Sequence, residues 1–367
     1  MVTTIRLPLR RILLAVLSLA MAAAGLTALG GQAQAAVPNR WGFAFVDVPS
    51  GVPDPNHQAG SWPAAFSVSV TPGAPGETFV RFPQIGGPGG VVHVTAVTNQ
   101  PVWCQAEKWN AVGPDELVSV RCYRFGGAPI WVPFTVMYEE STGLLPAGTH
   151  AFGYVHHNGA AIVSQYNSVG AVNTVVPLGL GVWRVTFPGL GAPAPAGGLQ
   201  ATAVNPTAPA RCKVGNWSPA AAVQTVEVRC HDAVNNPFNT GWSLTYQRER
   251  AITGAAIPPK YFAYTFDVSA ANPGPYAPVP VGINYNSQGA VNTVQTAGPG
   301  MRLVIFPRMG ILRDHVQATA FGPGPEYCNL LTLWLSTGSQ AVVRDVVCYS
   351  TTTQVDRQSL VTYTSQF

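Results

Sequence analysis

Tyr166-Asn167-Ser168-Val169-Gly170-Ala171-Val172-Asn173-Thr174-Val175 returns 119 residues downstream as Tyr285-Asn286-Ser287-Gln288-Gly289-Ala290-Val291-Asn292-Thr293-Val294, with one change in ten positions. Around the two copies the same landmarks recur in the same order, and a more diverged third set precedes them. A short aromatic strand comes first: Trp41-Gly42-Phe43, Phe152-Gly153-Tyr154 and Phe262-Ala263-Tyr264. A strand ending in Phe-Pro follows, at Phe82-Pro83, Phe187-Pro188 and Phe306-Pro307. Next is an alternating strand with a central Thr-Ala, at Thr95-Ala96, Thr202-Ala203 and Thr319-Ala320. A Cys then precedes a Trp by five or six positions: Cys104 and Trp109, Cys212 and Trp217, Cys328 and Trp334. A Val-rich strand ends in the second Cys (Cys122, Cys230, Cys348), and a closing strand ends in Tyr138, Tyr246 or Tyr363.

The Phe-Pro pairs are 105 and then 119 residues apart. Solenoid units run about 20–50 residues, so these periods fit whole domains instead. Three units are expected at residues 37–141, 151–249 and 261–367. The joints, Thr142–His150 and Arg250–Lys260, are short, so neighbouring units should touch. Within a unit the signals are for strands. Val182-Trp183-Arg184-Val185-Thr186-Phe187 is rich in β-formers and runs into a Pro-Gly break. Thr225 to Cys230 alternates polar and apolar with period two. The expected fold is all-β: three tandem antiparallel β-sandwich or small β-barrel domains of seven or eight strands. An immunoglobulin fold fits poorly, because its two Cys flank a Trp-bearing strand and bridge the sheets. Here they are only 18 to 20 residues apart.

Six Cys allow 15 pairings. The repeat selects Cys104 with Cys122, Cys212 with Cys230, and Cys328 with Cys348. Each bond would close a loop worth about 3 kcal/mol in the chain-entropy model. Zinc is the weaker alternative, since no Cys-x-x-Cys or His cluster is present.

Residues 1–35 read as a signal peptide. Arg6, Arg10 and Arg11 are followed by an apolar stretch and by Ala33-Gln34-Ala35, a small-x-small cleavage site. The expected location is therefore secreted and extracellular, where disulfides persist. No later apolar run is long enough for a membrane span. The net charge of +4 owes three of its 20 basic residues to that leader. The remaining 17 against 16 acidic residues leave +1, which removes the case for a nucleic-acid partner. Only 10% of residues are charged, against about 25% in an ordinary domain.

The duplicated decapeptide has two readings. It is a β-hairpin turning at Asn167 and Gly170, or a polar loop whose Tyr166, Asn167, Asn173, Tyr285, Asn286 and Asn292 bind a ligand. Amides beside an aromatic ring suit sugars. The first unit lacks the segment and carries Ser61-Trp62-Pro63-Ala64-Ala65-Phe66 near its place. His156 and His157 would point to opposite faces of a strand, so they share no metal ion easily. His93 aligns with Gln200 and Gln317 and reads as an ordinary polar strand position. Glu139-Glu140 reads as a solvated pair. Trp109, Trp217 and Trp334 read as core or half-core. No catalytic motif, metal set or cofactor signature stands out.

Val185-Thr186-Phe187-Pro188-Gly189-Leu190, Ala201-Thr202-Ala203, Cys212-Lys213-Val214 with Trp217, and Val226-Glu227-Val228-Arg229-Cys230 resemble repeats in uncharacterised secreted tandem-repeat proteins of Streptomyces-like actinobacteria. The resemblance implies export and repetition, and no activity. The expected function is a non-catalytic, multivalent extracellular binding or adhesion protein, with carbohydrate or cell-surface material as partner. A self-associating structural protein and a hydrolase with an unrecognised site are the alternatives.

Overall fold

The computed structural model describes residues 39–144, 150–254 and 259–367. The signal-peptide reading lies outside them, as do parts of both joints. In the first repeat the strands are β1 (Arg40–Val46), β2 (Gln58–Gly60), β3 (Ser69–Pro72), β4 (Glu77–Phe82), β5 (Val91–Ala96), β6 (Val102–Val112), β7 (Asp115–Arg124) and β8 (Phe134–Glu140). The second repeat has β9 (Ala151–His157), β10 (Ile162–Asn167), β11 (Thr174–Gly179), β12 (Val182–Pro188), β13 (Gly198–Val204), β14 (Ala210–Ala220), β15 (Val223–Asp232) and β16 (Gly241–Arg248). The third has β17 (Phe262–Phe266), β18 (Asn284–Asn286), β19 (Thr293–Gly298), β20 (Met301–Pro307), β21 (Asp314–Ala320), β22 (Tyr327–Leu330), β23 (Leu335–Ser336), β24 (Gln340–Ser350), β25 (Thr353–Gln354) and β26 (Ser359–Ser365).

Each repeat is a sandwich of two antiparallel sheets, not a barrel. The first repeat has the orders β2-β1-β8-β5 and β3-β4-β7-β6, and the other two repeat this pattern. Strand β12 shows why these residues make half-buried strands. Trp183, Val185 and Phe187 point inward, while Arg184 and Thr186 do not. The three disulfides join the expected partners, each directly across a strand pair.

The decapeptide is not a hairpin. Gly170 and Gly289 do take left-handed backbone in a turn. Beyond that turn, however, β11 pairs with β12 in the opposite sheet, while β10 stays on β9. The segment is the crossover between the two layers.

The described residues, from Asn39 onward, form one compact unit. Three parallel bridges close the repeats into a ring: Val204 with Ala106, Phe321 with Val214, and Val97 with Leu330. Each is sealed by one backbone bond, from Asn205, Gly322 and Thr98 N–H. In every case the end of one repeat's Thr-Ala strand meets the residue two past the first Cys of another. Each core is also completed by its neighbour. Val204 enters the first core, Phe266 and Leu360 the second, and Phe45 and Val97 the third.

Ring closure explains why β5, β13 and β21 are buried on both faces. Their polar residues face the ring axis. Thr95 donates to Ala318 O (3.0 Å), Thr319 donates to Ala201 O (3.3 Å), and Thr202 Oγ1 lies 3.2 Å from His93 Nδ1. His93 is a polar strand position like Gln200 and Gln317, and all three are buried; its Nε2 sits 2.8 Å from Thr245 Oγ1. Glu139 and Glu140 are likewise buried rather than solvated. Ser141 donates to Glu139, and Arg40 pairs with Glu140 at 2.9 Å.

These groups give the fold a particular acid response. Burial pushes His93 down to about 3, His156 and His231 to about 4, and His315 well below its usual value. A histidine whose folded pKa is depressed withdraws stability as pH falls from about 6.5 toward that pKa. Burial pushes Glu116 up to about 7 and Glu139 well above the carboxylate range. Those two return stability as pH falls from about 7 to 4.5. Below that losses dominate, because Asp115, Asp232 and Glu326 are held low by hydrogen bonds and cations. Four depressed histidines outweigh two raised glutamates, so the expected result is a net loss of stability as pH falls from about 6.5 to 4.5 that continues beneath it. His93→Gln, which installs the residue found at both equivalent positions, should move the acid midpoint downward in a circular-dichroism titration. An unchanged midpoint would show that His93 does not titrate on unfolding.

Candidate functional site

Trp109, Trp217 and Trp334 occupy the three seams. Each meets the aromatic residue three positions after the small residue of the next repeat's first strand. Trp109 lies 4.3 Å from the ring of His156, Trp217 lies 6.1 Å edge-on to Phe266, and Trp334 lies 6.1 Å edge-on to Phe45. The seams are not equal. Strands β6 and β14 are long, and their tryptophans are half-buried. In the third repeat the Cys-to-Trp spacing is one longer. The chain leaves the sheet after Leu330, and Trp334 becomes buried with Nε1 on Asp314 at 2.9 Å.

At the first seam the packing leaves a cleft of about 530 Å³. The Gly87-Pro88-Gly89 loop forms one wall and Glu107–Ala111 another. His156, Asn158, Val163 and Ser164 come from the second repeat. Trp109 is fixed by donation from Nε1 to Gly89 O at 3.0 Å. Burial, helped by His157, keeps the His156 imidazole neutral down to about pH 4. The cleft thus offers two flat rings, apolar Val163, Val204 and Pro206, and the polar ends of Lys108, Asn110 and Asn158. Size and lining both match small-molecule sites, which run about 300–1,000 Å³ with few polar groups.

The groups nearest to catalytic use are otherwise engaged. Ser164 stands across the sheet from His156, yet its hydroxyl accepts from Gly90 N–H at 3.0 Å. Glu107 accepts from Ser119 at 2.8 Å and lies 3.0 Å from Arg121 Nε. His157 faces the other way, stacked on Trp242 at 5.0 Å, as the strand geometry requires. Among the described residues no group of three His, Cys, Asp or Glu could hold a metal ion. No helix among them is long and apolar enough to cross a membrane.

The decapeptide residues do not gather into a site. Asn167 donates to Asn173 Oδ1 (2.9 Å) and Pro188 O (3.0 Å), and Asn173 donates to Tyr166 O (2.9 Å) and Tyr154 O (3.3 Å). Asn286 and Asn292 make the same set with Pro307, Tyr285 and Tyr264. All four are buried. Their amides pin the crossover between sheets, which leaves them nothing to offer a ligand. Tyr166 stacks on Tyr154 and donates to Gly143 O, and Tyr285 stacks on Phe262 and Tyr264. In the first repeat Gly60 takes the Asn167 place, and a Cβ there would lie 1.9 Å from the Trp62 ring. Trp62 fills the space that the asparagine clasp fills elsewhere.

The cleft escaped the sequence reading although a signal for it existed. His156 aligns with Phe45 and Phe266, and it faces one of the recurring tryptophans. No family model, no curated protein and no solved structure matches the chain. The functional reading therefore rests on the site's own chemistry.

Proposed function

We propose that this is a secreted, non-catalytic binding protein whose ligand lies in the cleft between the first and second repeats. Carbohydrate or other cell-envelope material is the ligand class. The observation that carries the reading is the Trp109–His156 pair beside a cleft of about 530 Å³ edged by amides and one lysine. Aromatic faces pack on the C–H surface of a sugar, and amide groups satisfy its hydroxyls. Three disulfides suit an oxidising, extracellular setting. Three equal sites are not what supports binding here, because Trp334 is buried and only about 230 Å³ opens beside Trp217. The avidity of the expected multivalent array is accordingly reduced to one main cleft.

Because each core borrows residues from another repeat, the test uses the whole mature chain. Retention on insoluble polysaccharides and cell-wall preparations should fall at least about tenfold in Trp109→Ala, as for an aromatic anchor. Trp217→Ala should change it little. If both variants bind as the parent does, the cleft is not the site.

A self-associating structural role is the second reading. Val176, Leu178 and Leu180 stand exposed on or beside edge strand β11. A scattering mass that stays monomeric across a hundredfold concentration range would dispose of it.

A further inference from the structure

We infer that the ring axis holds a small monovalent anion of about chloride size, bound by Arg211 of the second repeat. The three positions before the first Cys of each repeat meet there. Two are aromatic, Trp103 and Tyr327, and the third is Arg211. Its guanidinium lies 4.7 Å from one ring centre and 5.1 Å from the other. The positions after the second Cys repeat the pattern, with Tyr123, Tyr349 and His231. The second repeat therefore concentrates cations where the others place rings.

Arg211 is 5% exposed. Its Nε donates to Pro325 O at 3.2 Å, and Nη2 donates to Asn235, but Nη1 has no protein acceptor among the described residues. No carboxylate forms an ion pair with it among the described residues. Asp232, the nearest acidic influence, accepts instead from Asn236 and from the N–H of Val234. Lys213, two residues on, is also buried. It pairs with Glu326 at 3.1 Å, but Arg357 takes the other oxygen of that carboxylate at 2.8 Å. The axis thus carries more positive than negative charge in a water-poor place, which is costly without a counter-charge.

A cavity of about 40 Å³ is lined by Arg211, Lys213, His231, the axial threonines and Glu326, whose two oxygens are taken by Lys213 and Arg357. A single water needs roughly 10–15 Å³ by this measure, so a monatomic anion with one or two waters fits. Water alone would complete the hydrogen bonds but leave the charge. Burial lowers Arg211 to about 10 and Lys213 to about 8, consistent with cations short of counter-charge. The anion would hold the Arg211 guanidinium in place, and the guanidinium itself packs over the Trp103 and Tyr327 rings of the neighbouring repeats.

Two measurements on the full mature chain test this. Crystals grown in bromide should show one anomalous peak within hydrogen-bond distance of the Arg211 guanidinium. Thermal melts at constant ionic strength should rise with chloride, by about 2 °C per tenfold once the site is filled, but not with gluconate. Arg211→Met should flatten that dependence. No bromide peak at Arg211, or equal melts in chloride and gluconate, overturns the inference. The bromide experiment needs no variant, so it decides even if Arg211→Met fails to fold. Neither readout involves the Trp109 cleft.

Discussion

Trp334→Ala should destabilise the protein by about 3–5 kcal/mol, the cost of emptying a large aromatic site. Trp334 is 3% exposed and sits where the third repeat meets the first. Its ring packs edge-on against Phe45, His57 and His315. Its Nε1 is one of three donors to Asp314, with His57 Nδ1 at 2.8 Å and the Ser336 hydroxyl. Truncation therefore creates a cavity and weakens the support of a fully buried carboxylate, and the two effects add. Trp217, half-exposed at another seam, should cost about 1–2 kcal/mol less when truncated, since less of its area leaves water. Denaturant unfolding of both variants measures the difference. Equal losses would mean that the third seam contributes no more than the second, and that the ring is not closed there as described.

Arg302→Met should cost a similar amount, about 3–5 kcal/mol, by a different route. Arg302 and Asp267 are each 1% exposed and paired at 2.8 Å through Nε and Oδ2. Nη1 donates to Asn272 O at 2.8 Å and Nη2 to Ser269 O at 3.3 Å, so the guanidinium also anchors the loop after β17. Removing it strands a buried carboxylate and releases that loop. The second repeat shows that the space does not demand charge. Its equivalent residues are Trp183 and His157, with ring centres 6.1 Å apart. The double variant Arg302→Met with Asp267→Leu should therefore recover most of the loss. A double variant as unstable as the single one would place the cost in the loop anchor rather than in the stranded charge.

The sequence by itself determined what local chemistry controls. Period-two patterning set the strands, and Phe-Pro and Gly breaks ended them. The duplicated decapeptide and its landmarks fixed a threefold repetition. The equivalence of the repeats chose the disulfide pairing, because each repeat carries two cysteines at matching places. What escaped was whatever depends on one sheet or one repeat meeting another. His93 and Thr95 alternate with apolar residues on one strand, as Gln317 and Thr319 do on another, and nothing local says that other repeats cover them. Glu139 and Glu140 look solvated for the same reason. The asparagines of the decapeptide look like ligand groups because their acceptors, Pro188 O and Pro307 O, lie 21 residues away in the other sheet. The cleft at Trp109 is the clearest case. Its two rings come from different repeats, 47 positions apart in the chain, and only ring closure brings them to 4.3 Å. Burial and partnership across a seam are properties of the assembled ring, so the tertiary structure alone could decide them.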